Sequence, residues 1–139
     1  MNVLVCEVRE DLLRYALFNV DGFPVLLAEG SAAGIGAEGS FYHKNADSGD
    51  SVRIAAAFPS WCEAICAMLE HLFGCCISSL EEIAAVAIWG YDRHSAAQDA
   101  LRSMLPHTPE ITVPAAPSRA AAAMAAAGAL RRTPPCKGE

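Results

Sequence analysis

A chain of 139 residues is long enough for one domain, which at this size buries roughly two-thirds of the surface its unfolded form exposes. Hydrophobic residues at 53% and charged residues at 19% exclude wholesale disorder, and a net charge of -6 offers no basic surface to a nucleic-acid backbone. No apolar run reaches the roughly 18 residues of a membrane span, and charge interrupts MNVLVCEVREDLL too early for a secretory leader, so a soluble, cytoplasmic protein is expected.

In chain order, NVLVCEV and LLRYALFNV are rich in β-branched and aromatic residues, and DGFP supplies turn chemistry before VLLAEG. A meander of three strands follows from this. Next comes GIGAEG, Gly34 to Gly39, which fits the pattern G-x-G-x-x-G. A dinucleotide site needs a helix to start from those glycines, whose N-terminus then faces the pyrophosphate. Here SFYHK and NADSGDS follow instead, a polar-apolar alternation and then a turn-rich loop. The glycines therefore read as a tight turn needing positive φ. GSFYHKN is a short strand or an extended loop.

From Ser60 the period changes. Trp61, Ile65, Met68 and Leu72 fall at i, i+4, i+7 and i+11, with Leu69 and Phe73 widening the stripe, so an amphipathic helix runs from the N-cap Ser60 to a close at Gly74. SSLEE is a capping-box-like turn, and IAAVAIWG is a continuous apolar run of strand length, as in a strand buried on both faces. A buried strand after a helix implies a parallel partner. SAAQDALRSML reads as a second helix ending before Pro106, and SRAAAAMAAAGALRR as a third that Gly128 weakens near its end. The expected order is β-β-β-α-β-α-α, with residues 1–130 as one lobe and 131–139 as a disordered tail.

Six cysteines, Cys6, Cys62, Cys66, Cys75, Cys76 and Cys136, include a helix-spaced set with His71, but no C-x-x-C pair. They read as small buried hydrophobes, and no metal is expected. Cys75 beside Cys76 invites oxidation more than ligation.

Four stretches, in this order and spacing, resemble the N-terminal part of acetate and propionate kinases, members of the actin-like ATPase superfamily. NVLVCEVREDLLRYALFNVDG is similar to the family's first two strands, GIGAEGSFYHK to its I-G-x-E-G-S segment, FPSWCEAICAMLEHL to its first helix, and SSLEEIAAVAIWG to the entry of its central strand. The resemblance runs from Met1 to about Leu130. It implies a ribonuclease-H-like (actin-like ATPase) half-domain, a mixed sheet with helices packed on it, truncated and degenerate relative to the family.

The departures bear on function. Where the family has a polar N-x-G-S-S-S turn that approaches phosphate, this chain has EVREDL: Glu7 stands for the asparagine, Arg9 for the glycine, and Glu10, Asp11 and Leu12 for the serines. Added carboxylates repel phosphate, and a side chain at the glycine position obstructs its approach. At the family's G-H-R-V-V-H-G-G motif this chain has AIWGYDRH, so Trp89 replaces the arginine and Asp92 a histidine. Arg93 and His94 remain as residual catalytic candidates, although Asp92, Arg93 and His94 also read as a solvated loop. The family's later catalytic residues and second lobe have no counterpart in the sequence.

The resemblance thus implies a non-catalytic binding or assembly module with no cofactor. The alternative is the first half of a two-chain acetate or propionate kinase, and only that reading brings in ATP and Mg. A partner chain or a second copy is expected at an open edge of the IAAVAIWG strand, with the alanine-rich helix as the competing cover for that edge.

Overall fold

The computed structural model describes residues 1–89 and 95–132 of the chain. It opens with five strands in an antiparallel meander: β1 (Asn2–Val8), β2 (Leu12–Asn19), β3 (Val25–Ala33), β4 (Glu38–Asn45) and β5 (Ser51–Ala57). Helix α1 (Trp61–Cys75) and a single 3₁₀ turn at Leu80–Glu82 lead to β6 (Ile83–Trp89), followed by α2 (Ser95–Met104), β7 (Glu110–Val113) and α3 (Arg119–Arg132). All seven strands join one sheet in the order β5-β4-β3-β2-β1-β6-β7, with β1, β6 and β7 mutually parallel where they pair.

Three strands lengthen the order expected from sequence. GSFYHKN is a full strand, β4, and SVRIAAA adds β5 beside it. The four residues of β7 pair with β6, so the central strand is flanked by β1 on one side and β7 on the other. This corrects the expected open edge at IAAVAIWG. The strand that closes it was hidden in EITV, too short for its alternation to register. Among the described residues, the unpaired edges belong to β5 and β7.

Alternation along the strands divides the core in two. Leu4, Cys6, Leu13, Tyr15, Leu17, Val86 and Ile88 face α1 and α2, where they meet Trp61, Ile65, Met68, Leu72 and Leu101. Val3, Val5, Ala16, Phe18 and Ala87 face the other way, onto Ala122, Ala123, Ala126 and Ala127 of α3. Alanine suits α3 because it lets the helix lie close to the sheet at no side-chain entropy cost. The helix continues through Gly128 to Arg132, two residues beyond the lobe boundary expected from sequence.

Helix α1 starts where the sequence puts it. Ser60 is its N-cap, with the hydroxyl bonded to the Glu63 carboxylate rather than to a backbone amide. Its end differs slightly: Gly74 lies inside the helix, Cys76 is the C-cap, and Phe73 faces solvent rather than the apolar stripe. The GIGAEG segment connects β3 to β4. Gly34 (φ 73°) and Gly36 (φ 95°) adopt the left-handed region, and Ala37 N–H donates to Gly34 O at 2.9 Å, so the tight-turn reading holds. A strand, not a helix, leaves the turn, and the dinucleotide geometry is absent.

Of the cysteines, Cys6 is the buried small hydrophobe expected, its thiol pushed up to about 12 chiefly by burial. Cys62 is exposed, while Cys66, Cys75 and Cys76 are half-buried, which corrects the expectation for those four; Cys136 lies outside the described residues. No set of three potential ligands stands in metal-holding geometry among the described residues. No helix among them is long and apolar enough to cross a membrane.

Candidate functional site

Parallel strands in an open α/β sheet deliver their C-terminal ends to one rim, where backbone polar groups and loops are free to meet a ligand. Here that rim is formed by Val8, Trp89 and Val113 at the ends of β1, β6 and β7. The pairing register carries one continuous row of side chains across the sheet from this rim: Val113, Trp89, Glu7, Arg14, Ser31, Tyr42 and Arg53, one from each strand. All lie on the face that carries α3. Helix α3 packs mainly against β1, β2, β6 and β7, and the part of the row at Arg14, Ser31 and Tyr42 borders a cavity beside the helix's first turn.

Glu7 is the hinge of the row. Its carboxylate accepts from Arg9 Nη2 at 2.7 Å and Nε at 3.2 Å, with Arg14 Nη1 at 4.0 Å from the other oxygen. The carboxylate is only 12% exposed, whereas the two guanidiniums reach into solvent. Further along, Glu29 accepts from Arg119 Nη2 at 2.7 Å and ties β3 to the start of α3, and Arg53 lies 4.5 Å from the Tyr42 ring centre as a cation–π pair.

Glu7 and Trp89 together form the wall between two surface cavities. One, of about 590 Å³, is bounded by Arg14, Glu29, Tyr42 and Arg119; the other, of about 450 Å³, lies between Arg9 and the segment Pro114–Pro117. The first is polar and charged, and the second is closed by the loop entering α3.

The turn between β1 and β2 holds the other residues singled out from sequence. Arg9, Glu10 and Asp11 are exposed. Arg9 N–H donates to Leu12 O at 2.9 Å, and Asp11 O accepts from Ile35 N–H at 3.0 Å, which docks the glycine turn onto this one. The β1–β2 turn is held by these backbone bonds, with Glu7 at its base. Asp92, Arg93 and His94 lie outside the described residues.

Sequence reasoning missed Arg14, Ser31, Tyr42 and Arg53. Each is a polar or aromatic residue on the outward beat of its strand, but nothing local tells which strands will be neighbours. Glu29–Arg119, separated by 90 positions, was equally out of reach.

No family model matches the sequence, and no curated protein does. Among solved structures the chain is similar to the acetate kinase of Porphyromonas gingivalis, with a TM-score of 0.71 and 19% identity over 81% of this chain. A propionate kinase from Francisella tularensis subsp. tularensis SCHU S4 is similar with a TM-score of 0.67 and 14% identity over the same share. The chain spans 36% of the length of each. At these identities the likeness is one of fold alone: a mixed α/β sheet with helices on both faces, consistent with the ribonuclease-H-like half-domain expected from the sequence.

Proposed function

We propose that this chain has a kinase-family origin and acts without catalysis, as a binding or assembly module. The observation that carries the reading is the β1–β2 turn. Glu7 holds Arg9, the Arg9 amide is taken up by Leu12, and Glu10 and Asp11 add two exposed carboxylates at the rim. A nucleotide phosphate brought to this turn meets the exposed carboxylates of Glu10 and Asp11, while Arg9 and Arg14 are both drawn to Glu7. Trp89 beside Glu7 contributes bulk where phosphoryl transfer needs a donor. Residues of this kind do not fit Mg-ATP.

Titration calorimetry of the purified chain with Mg-ATP tests this directly. The expected result is no saturable heat at micromolar protein and no acetyl phosphate formed with acetate. A saturable heat that disappears in Arg9→Ala would overturn the reading. It would favour the alternative, the first half of a two-chain acetate or propionate kinase catalysing ATP-dependent phosphoryl transfer to a short-chain carboxylate, which the fold likeness supports.

The assembly half of the reading draws on β5. This strand is an edge, is exposed along nearly its whole length, and carries neither lysine nor proline to discourage pairing. Val52 and Ile54 are 36% and 46% exposed on it. A second copy pairing antiparallel about Ile54 would set Ile54 against Ile54, Val52 against Ala56 and Arg53 against Ala55, so no like charges oppose each other. Light scattering at micromolar concentration is expected to give a dimer, and Ile54→Lys, which sets two lysines face to face, a monomer. A wild-type chain that stays monomeric, or an Ile54→Lys dimer, would reject β5 as the contact.

A further inference from the structure

On the opposite face of the sheet from the polar row, α1 ends in two adjacent thiols whose sulfurs converge. Successive helical residues point about 100° apart, so neighbouring cysteines normally diverge. Here the backbone leaves the helix at Cys76 (φ -125°, ψ -30°), with Cys76 N–H and Ile77 N–H both donating to Leu72 O at 2.9 and 3.1 Å. The bend brings Cys76 Sγ to 2.8 Å from Cys75 Sγ.

A third group reaches the same point from β4. His43 Nε2 lies 3.3 Å from Cys75 Sγ, and its Nδ1 lies 2.6 Å from Tyr15 Oη. Burial, then the neighbouring His71, lowers the pKa of His43, which favours the neutral ring; burial raises the phenol of Tyr15 far above its usual range, so it keeps its proton. Tyr15 donating to Nδ1 leaves Nε2–H directed at Cys75. That contact fixes the Cys75 sulfur between His43 and Cys76.

The pair is also reachable. Cys75 lines a cavity of about 340 Å³ with His43, His71 and Glu70, and both cysteines line a second of about 460 Å³ beside Leu27. Ligation of a metal is the poorer fit. Two sulfurs bound at about 2.3 Å around a tetrahedral ion stand near 3.8 Å apart, and these are already in contact.

We propose that Cys75 and Cys76 are a thiol-modification site at which a peroxide oxidises Cys75 and Cys76 resolves the product to a disulfide within the pair. Cys75 is the attacking sulfur because it holds the His43 contact and faces both cavities. Burial and the neighbouring Cys75 push the Cys76 thiol up to about 12, so Cys76 is the poorer first nucleophile and gives up its proton only as it attacks, to the departing hydroxyl.

In the first step Cys75 sulfur attacks one peroxide oxygen, the O–O bond breaks, and the departing hydroxide takes the thiol proton to leave as water. The product is a sulfenic acid. In the second, Cys76 sulfur attacks Cys75 sulfur, the S–O bond breaks, and the hydroxyl leaves as water with the Cys76 proton. Two thiols lose two electrons and one peroxide becomes two waters. Consecutive Cα atoms stand about 3.8 Å apart, below the 4.4 Å at which ordinary disulfides begin, so the bond is strained and readily reduced.

The test is the order in which thiols are lost. Reduced full-length chain is exposed to limiting hydrogen peroxide, quenched by alkylation at intervals and mapped by peptide mass. The Cys75–Cys76 peptide should lose two hydrogens and its alkylation at least about tenfold faster than exposed Cys62 is consumed, and dithiothreitol should restore both thiols. Cys66 should lag as well, since burial and the Glu70 and Glu63 carboxylates raise its thiol. In Cys76→Ser the reaction should stop at a Cys75 sulfenic acid trapped by dimedone. Oxidation of Cys62 at an equal rate, or a Cys75–Cys76 peptide that stays alkylatable while peroxide is consumed elsewhere, would overturn the proposal. The wild-type ordering alone decides it even if a variant misfolds.

Discussion

Trp61→Ala should lower the unfolding free energy by about 3 to 5 kcal/mol, the range for removing a large aromatic side chain from a packed interior. Trp61 is the first residue of α1 and only 7% exposed, in one cluster with Ile65, Met68, Val86 and Ile88. Its ring belongs to the core cluster under α1, so its loss leaves a void in that cluster. The N-cap is untouched, because Ser60 keeps its bond to Glu63. A control comes from the same helix: Phe73 is 41% exposed, and Phe73→Ala should cost under about 1 kcal/mol. Urea unfolding of both variants checks the pair. Equal losses would mean that the helix face has been assigned backwards.

That helix was legible because its apolar residues repeat at helical spacing and its N-cap is a serine. β6 was legible for the opposite reason: buried on both faces, it reads as an unbroken apolar run, and its parallel pairing with β1 follows from the helix before it. β5 was not, because an edge strand with neither face covered has no burial to impose alternation on SVRIAAA. β7 failed through shortness alone.

The candidate site divides along the same line. Glu7, Arg9, Glu10, Asp11 and Trp89 stand in contiguous segments whose resemblance to a known family drew attention to them. The row through Arg14, Ser31, Tyr42 and Arg53 is a product of register, and the convergence of His43 on Cys75 needs the sheet and α1 to be packed first. Local pattern identifies a strand's outward residues; it does not say which ones from other strands they will face.

The three glycines of GIGAEG should differ in cost, because three different physical demands are met by one residue type. Gly36 has φ 95° with open space around it, so Gly36→Ala carries only the left-handed backbone penalty, about 1 kcal/mol. Gly34 adds crowding to a φ of 73°, since a Cβ there would lie 2.6 Å from Glu38 O. Gly39 needs no special φ; a Cβ there would lie 1.8 Å from Ala33 O and 2.9 Å from the Gly34 Cα, both backbone atoms that cannot swing aside. Gly39→Ala must therefore part β3 from β4 at the hairpin base and should cost about 3 kcal/mol, at the upper end for overpacking. The turn is also anchored outside itself, through Ile35 N–H to Asp11 O and Gly36 N–H to Phe58 O, so forcing it open strains the acidic turn as well. Thermal unfolding should rank the variants with Gly39→Ala below Gly36→Ala by several degrees, and Gly22→Ala, whose Cβ would meet nothing within 4 Å, near wild type. If Gly39→Ala proved no worse than Gly36→Ala, the close approach of the two strands would be wrong, and the pattern would reduce to a turn with one spare glycine.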